Sequence, residues 1–414
     1  MTDSEARKAI DAIWRMEAPR LIAGLARVVR DVGLAEELAQ DALVAALEHW
    51  PADGIPDNAG AWLAATGRRR AIDVLRRRKT LDRKHEELAH TLPREQPAPD
   101  EGSRDDVGDD LLRLIFIACH PVLSREARAA LTLRLLCGLT TDEIARAFLV
   151  AEPTVAQRIV RAKRTLAEEQ VPFELPRRAE RASRLSSVLE VIYLVFNEGY
   201  SATAGAAWVR PDLCEDALRL GRVLAGLTPE EPEVHGLVAL MEIQASRMGA
   251  RQTPSGEPVL LLDQNRALWD RLLIGRGLAA LARAEELGGA RRPYALQAAI
   301  ASCHARAPRA EDTDWARIAA LYAVLGEVDP SPIVELNRAV AVSMAEGPAA
   351  GLAIVDGLRT LPALASYHLL PAVRADLLAK LGRAAEARTE LERAASLTHN
   401  DRERALLLSR ASRL

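Results

Sequence analysis

Cysteine is scarce in this chain of 414 residues: Cys119, Cys137, Cys214 and Cys303 stand far apart, with no CxxC pair. That spacing offers neither a disulfide framework nor a zinc site. Cys119-His120 and Cys303-His304 are sequence neighbours. Adjacent helical residues point in different directions, however, so neither pair chelates by itself, and small buried thiols are expected. Aromatic residues make up only 4%. No apolar run approaches the roughly 20 residues of a membrane-spanning helix. The opening stretch, MTDSEARKAIDAIW, is charged and has no apolar segment of a secretory signal. A cytoplasmic chain is expected. Net charge is only −3, so any affinity for nucleic acid must come from local basic patches.

Hydrophobic residues reach 49%, enough for real cores, and the length calls for two or three domains. Ala, Leu, Arg and Glu dominate, and these are strong helix formers, so the expected fold class is all-α. In GLAEELAQDALVAALEHW, Leu34, Leu38, Ala42, Ala45, Ala46 and Trp50 recur at three- and four-residue spacing on one face. Glu36, Glu37, Asp41 and Glu48 form the other, acidic face, and Pro51 is expected to stop the helix. The loop PADGIPDNAG follows, then a helix from about Ala61, AWLAATGRRRAIDVLRRRK. Residues 80–110 change character. From Arg94 to Asp110 seven acids stand against two arginines, among prolines and glycines. Such a stretch buries too little apolar surface to fold alone and reads as a flexible acidic linker.

Helices resume at Leu111, with Pro121 and Gly138 as breaks. In LTTDEIARAFLVAEPTVAQRIVRAKRTL, Thr140-x-x-Glu143 is a capping box that starts one helix. Pro153 is tolerated only in the first turn of a helix, so the next begins near Glu152. Val155, Ile159, Ala162 and Leu166 form its inward stripe. Thr154, Gln157, Arg158 and Arg161 line the opposite side with donors suited to base edges and phosphates, and Lys163 and Arg164 extend the charge. This is the pattern of a helix-turn-helix, although Ala151 is a poor cap. A second basic patch sharpens it. Arg68, Arg69, Arg70, Arg76, Arg77, Arg78 and Lys79 surround a single acid, Asp73. Ala71, Val74 and Leu75 pack inward, and the exposed cations call for a polyanion.

GLAEELAQDALVAALEHWP, AWLAATGRRRAIDVLRRR, the acidic linker and LTTDEIARAFLVAEPTVAQRIVRAKRTL, in that order, resemble the two domains of extracytoplasmic-function (ECF) sigma factors over residues 10–170. IYLVFNEGYSAT and YHLLPAVRADLL resemble segments of the subgroup with a tetratricopeptide-like extension. The resemblance implies two small helical sigma domains, 5–79 and 111–170, the second a helix-turn-helix, joined by the linker 80–110. It implies binding of core RNA polymerase, its β′ and β subunits, through Glu36, Glu37, Gln40, Asp41 and Leu47. It also implies melting of the minus-ten promoter element by Asn58, Arg68, Arg69, Arg70, Asp73, Arg76 and Arg77. The minus-thirty-five element would be read by Thr154, Gln157, Arg158, Arg161, Lys163 and Arg164. Trp62 is expected in the core. The chain would supply binding energy while the polymerase does the chemistry, so no enzyme activity, cofactor or metal is expected.

Residues 177–414 read as a TPR-like array of helical hairpins, which bury their apolar faces only by stacking. Control of the sigma domains in cis by intramolecular contact is the expectation. FNEGYSATAG (Phe196–Gly205) is polar and glycine-rich; it reads either as a turn contacting the sigma domains or, the favoured account, as a helix C-cap with Asn197 and Gly199. In TPSGEPVLLLDQNRALWD (253–270), Asp263, Gln264 and Asn265 are candidate partner contacts or plain surface. The alternative readings are a helix-turn-helix regulator acting without polymerase and an enzyme in the array. His235, His304 and His368 are the latter's candidates, but none sits in a catalytic motif.

Overall fold

The computed structural model describes residues 3–86, 104–148, 150–201, 204–205 and 209–414. Among them the chain is almost wholly helical, and it divides into two compact units, Met1–Ile192 and Tyr193–Leu414.

The N-terminal unit opens with α1 (Asp3–Val29), α2 (Val32–Asp53) and α3 (Ala59–Glu86), which pack on one another. Asp31 starts α2 by accepting from the Leu34 N–H at 3.0 Å. The periodic stripe Leu38, Ala42, Ala46 and Trp50 is buried, together with Ile10, Ile22, Leu25, Leu63 and Ala71 from the other two helices. Trp62 is half-buried and meets Trp50 edge-on at 5.3 Å. Pro51 does not end α2 as expected. Near the end of a helix a proline removes only one hydrogen bond, and the chain turns out at Gly54, whose φ of +89° suits glycine.

The acidic linker is shorter than residues 80–110. Helix α3 continues to Glu86 and α4 (Arg104–Ala118) begins before the predicted restart, while residues 87–103 lie outside the described residues. Asp110, expected in the linker, is buried between Arg27 at 3.2 Å and Arg113 at 2.6 Å. Next come α5 (Arg125–Leu136), α6 (Thr141–Phe148), α7 (Glu152–Glu168) and α8 (Arg178–Tyr200). Ser124 caps α5, and Gly138, at φ +71°, makes the turn toward α6. The start of α8 belongs to this unit: Arg184 donates to the Phe116 carbonyl at 2.9 Å and Ser187 to that of Cys119 at 2.7 Å. The unit boundary therefore falls inside α8, not at residue 177, where the array was expected to begin.

The C-terminal unit takes in the end of α8 and then α9 (Pro211–Leu227), α10 (Pro232–Ala245), α11 (Arg271–Glu286) and α12 (Pro293–Arg306). It continues through α13 (Trp315–Val328), α14 (Pro332–Glu346), α15 (Pro348–Leu358), α16 (Leu369–Lys380), α17 (Ala384–Leu397) and α18 (Asp401–Ser412). Neighbours in sequence pack on one another along the array, and α10 also packs on α12. Asn197 and Gly199 do not cap a helix; they lie within α8. Gly199 is needed for closeness, since a Cβ there would stand 2.7 Å from the Cys214 backbone nitrogen. A two-residue parallel pair, β1 (Ala204–Gly205) with β2 (His399–Asn400), joins distant parts of the unit.

Gly236 sets the spacing of α10 and α12. A Cβ there would lie 2.7 Å from the backbone nitrogen of Ala295 and 3.0 Å from its Cα, so the helices themselves would have to move. Gly236→Ala is expected to destabilise the protein by about 1–3 kcal/mol, the usual cost of overpacking. Urea unfolding checks this. An unchanged or raised midpoint would show that the crossing has slack.

Candidate nucleic-acid interface

The helix-turn-helix is assembled as its local chemistry dictates. The Thr140 N–H donates to the Glu143 carboxylate at 2.8 Å, and the Glu143 N–H donates to the Thr140 hydroxyl at 3.2 Å, a complete capping box. Helix α7 begins with Pro153 in its first turn and receives no side-chain cap from Ala151. Val155, Ile159, Ala162 and Leu166 are buried, and with Ile144, Ala145 and Ala147 they fill the space against α5. The opposite face is open: Thr154, Gln157, Arg161 and Arg164 are exposed and Arg158 is half-buried. Glu126 neighbours Arg158. Its carboxyl is held below the usual range first by its own backbone N–H, then by the Ser124 hydroxyl, with Arg158 and Arg125 assisting against burial. Arg164 is tied to Glu168 at 2.6 Å, an exposed pair that a phosphate can displace. Val160, which the sequence reading passed over, is 63% exposed on the same face. Its place one helical turn after Gln157 was the available signal, and an apolar tip there suits a thymine methyl.

Lys163, expected to extend the DNA-facing charge, is half-buried. It reaches across to the Glu36 carboxylate, which Arg134 also holds at 2.7 Å. Glu36 is 2% exposed, so it is no part of an open acidic face. Gln40 also donates to Glu36, at 2.5 Å. A second bridge, Arg15 to Glu143 at 2.6 Å, joins α1 to α6. The three-helix bundle and the helix-turn-helix thus face each other through charged contacts. One residue assigned to polymerase and one assigned to DNA are both consumed there. Sequence periodicity held no sign of Arg134, Arg15 or Asp110 as contact residues, because their partners lie far along the chain. Of the remaining polymerase candidates, Glu37 is exposed, Leu47 is 39% exposed, and Asp41 pairs with Arg70 at 3.1 Å on the surface.

The basic helix α3 carries Arg68, Arg69, Asp73, Arg76 and Arg77 exposed, with Arg70 half-buried. Asn58 accepts from the Ala61 N–H at 3.0 Å and so caps the start of this helix. Beside it lies a cleft of about 430 Å³, whose lining includes Glu17, Arg20, Arg27, Asn58, Arg68 and Asp110. It places polar groups from the loop and from the basic helix around one space.

The four cysteines are buried, and burial pushes the Cys119 thiol up to about 11 and Cys214 to about 12, well away from reactive thiolates. Among the described residues no cluster of three or more His, Cys, Asp or Glu could hold a metal ion, and no helix is long and apolar enough to cross a membrane.

Residues 13–80 match the family described as Sigma-70 region 2, and residues 113–166 match Sigma-70, region 4. Residues 184–285 match a family of unknown function, DUF6596. An uncharacterized protein of Rhizobium meliloti (strain 1021) is 45% identical over 402 residues, covering 96% of this chain and 94% of its own length. The crystal structure of yeast Tom70 aligns with 99% of this chain and 85% of its own at 12% identity, with a TM-score of 0.32, too low to support a shared fold.

Proposed function

Because the chain belongs to the ECF group of RNA polymerase sigma factors, carrying regions 2 and 4 and a C-terminal helical extension, we propose how its surfaces divide the work. Helix α7 reads the upstream promoter element through Thr154, Gln157, Arg158 and Arg161, with Val160 beside them. Asn58 and Arg68 receive an unstacked base of the minus-ten element in the adjoining cleft, while Arg69, Arg70, Arg76 and Arg77 hold phosphates and Asp73 shares their face. Glu37, Asp41 and Leu47 dock on the polymerase, β′ first, and Gln40 and Glu36 join them once exposed. The observation that carries this reading is the α7 face: a row of donors back to back with a buried apolar row. A stand-alone regulator would have no use for region 2 and is not favoured.

In this reading the contacts at Glu36 mark one of two states. In the closed one, Lys163 is withdrawn from DNA and Glu36 from polymerase; promoter binding requires the open one. The C-terminal unit acts on this equilibrium in cis.

Run-off transcription with core polymerase tests the proposal. The full chain is expected to direct initiation at specific promoters, and starts that ignore its presence would refute the assignment of surfaces. A chain ending at Ile192 keeps the α8 residues that pack on α4 and α5. Its output is expected to differ severalfold from that of the full chain. Equal output would remove control in cis and leave the promoter contacts standing.

A further inference from the structure

We infer that the C-terminal unit binds a compact oxyanion, a carboxylate or phosphate group of a small molecule, on the Arg247 guanidinium. This site is independent of the promoter-binding surfaces.

Two segments singled out in the sequence for their polar character, Phe196–Gly205 and 253–270, meet at this point. The first supplies Tyr200; the second supplies Arg266 and Trp269. Arg247 stands between them, its guanidinium carbon 5.7 Å from the Tyr200 ring centre and 5.8 Å from that of Trp269. Arg266 lies 4.9 Å over Trp269, and Arg251 lies 3.8 Å over Tyr200, with which it also hydrogen-bonds. Three cations therefore share two rings.

The charge of Arg247 and Arg266 is poorly balanced. Arg266 is buried and donates to the carbonyls of His304 and Ala307 at 2.6 and 2.7 Å, at the end of α12, and to the Thr313 hydroxyl at 3.1 Å. Helix-end carbonyls carry only about half a negative charge. Two acids, Glu311 and Asp312, act on Arg266 without pairing with it, and Asp312 is engaged by Arg309 at 2.9 Å. Among the described residues no carboxylate pairs with Arg247 or Arg266. Buried polar atoms without a partner gather here too: Nε of Arg247, Nε of Arg266, Nε1 of Trp269 and Nδ1 of His304. His304 neither balances this charge nor adds to it. Burial, then Arg247 and Arg266, push it down to about 3, so it stays neutral.

Buried donors left without acceptors are costly, and a bound ion is one of the few ways to satisfy them. Aromatic faces attract a guanidinium but leave its in-plane N–H groups free. Those groups form the fork that matches two oxygens of a carboxylate or phosphate. Arg247 is the free fork of the cluster, because the hydrogen bonds of Arg266 already fix its own guanidinium.

The test uses the full chain, titrated in separate arms with inorganic phosphate and with malonate at ionic strength matched by chloride. Hydrogen exchange of residues 244–251 and 264–270 and calorimetric binding are followed. Saturable heat and slowed exchange in those segments are expected. Phosphate alone doing so assigns a phosphoryl ligand, malonate alone a carboxylate, and both a general oxyanion site. Arg247→Met is expected to weaken binding tenfold or more, and Arg247→Lys, which keeps the charge without the fork, by an intermediate factor. No protection of these segments by either anion overturns the proposal, as does undiminished affinity in Arg247→Met. Protection confined to the basic helices of the N-terminal unit also overturns it. The exchange measurement on the unaltered chain decides the matter even if the methionine variant does not fold.

Discussion

Replacing Arg158 and Arg161 together by alanine is expected to cost the protein its preference for the upstream promoter element, cutting transcription from that promoter by about 100-fold or more. Both side chains stand on the open face of α7, one helical turn apart, above the buried pair Ile159 and Ala162. Neither belongs to the buried apolar row of Val155, Ile159, Ala162 and Leu166, so removing them leaves that row in place. Each well-placed side-chain contact to a base edge contributes about 1–3 kcal/mol of discrimination, and a factor of ten corresponds to about 1.4 kcal/mol. Competition between the cognate element and a scrambled one separates two roles. A contact to bases loses selectivity. A contact to phosphate weakens all sequences alike and lowers the salt slope by about one per contact. If the double variant kept full selectivity, α7 would not be the reading element.

Arg134→Met is expected to shift the N-terminal unit toward its open state by about 1–3 kcal/mol, between the small value of exposed ion pairs and the large penalty for stranding a buried charge. Arg134 lies outside the residues assigned to DNA and to polymerase; besides Glu36 it donates to the Leu139 carbonyl at 3.1 Å, a contact within its own helical domain, so the fold of the variant is checked beside its affinity. Glu36 is nearly inaccessible and would keep only Lys163 and Gln40 as partners. When only a small fraction of molecules is binding-competent, apparent affinity scales with that fraction. Core polymerase should accordingly bind the variant about tenfold to a hundredfold more tightly, and a fluorescence pair placed on α2 and α7 should report greater separation. Unchanged affinity with unchanged separation, in a variant whose helical circular dichroism is intact, would show that Glu36 does not hold the closed state.

Features encoded within a turn or two of chain were legible in the sequence. Thr140 and Glu143 fixed the start of α6, Pro153 the start of α7, and the apolar period of Val155, Ile159 and Leu166 its inward face. The same holds for Trp50 and Ala71. Pro51 misled, because a proline in a last turn costs one bond and does not end a helix. Glu36 misled for a different reason. Its periodicity placed it on the acidic side of α2, but its partner Arg134 stands 98 residues away, and helical spacing carries no information about such a partner. Asp110 is the same case: composition grouped it with the linker, while Arg27 from α1 buries it. In the C-terminal unit the helices were legible, but the convergence of Tyr200, Arg247 and Trp269 depends on how α8 and α10 bring distant stretches together.

The short pairing of Ala204 and Gly205 with His399 and Asn400 changes what kind of object the C-terminal unit is. A stack of hairpins held only by nearest neighbours unravels from either end, one repeat at a time. Here the connection between α17 and α18 is stitched to the segment between α8 and α9, so the far end of the unit cannot fray without disturbing the near one. The stitch pairs residues as far apart in sequence as Ala204 and His399, a separation that makes it a late event in assembly. Asn400, 1% exposed and capping α18 through the N–H groups of Arg402 and Glu403, is the knot of that stitch.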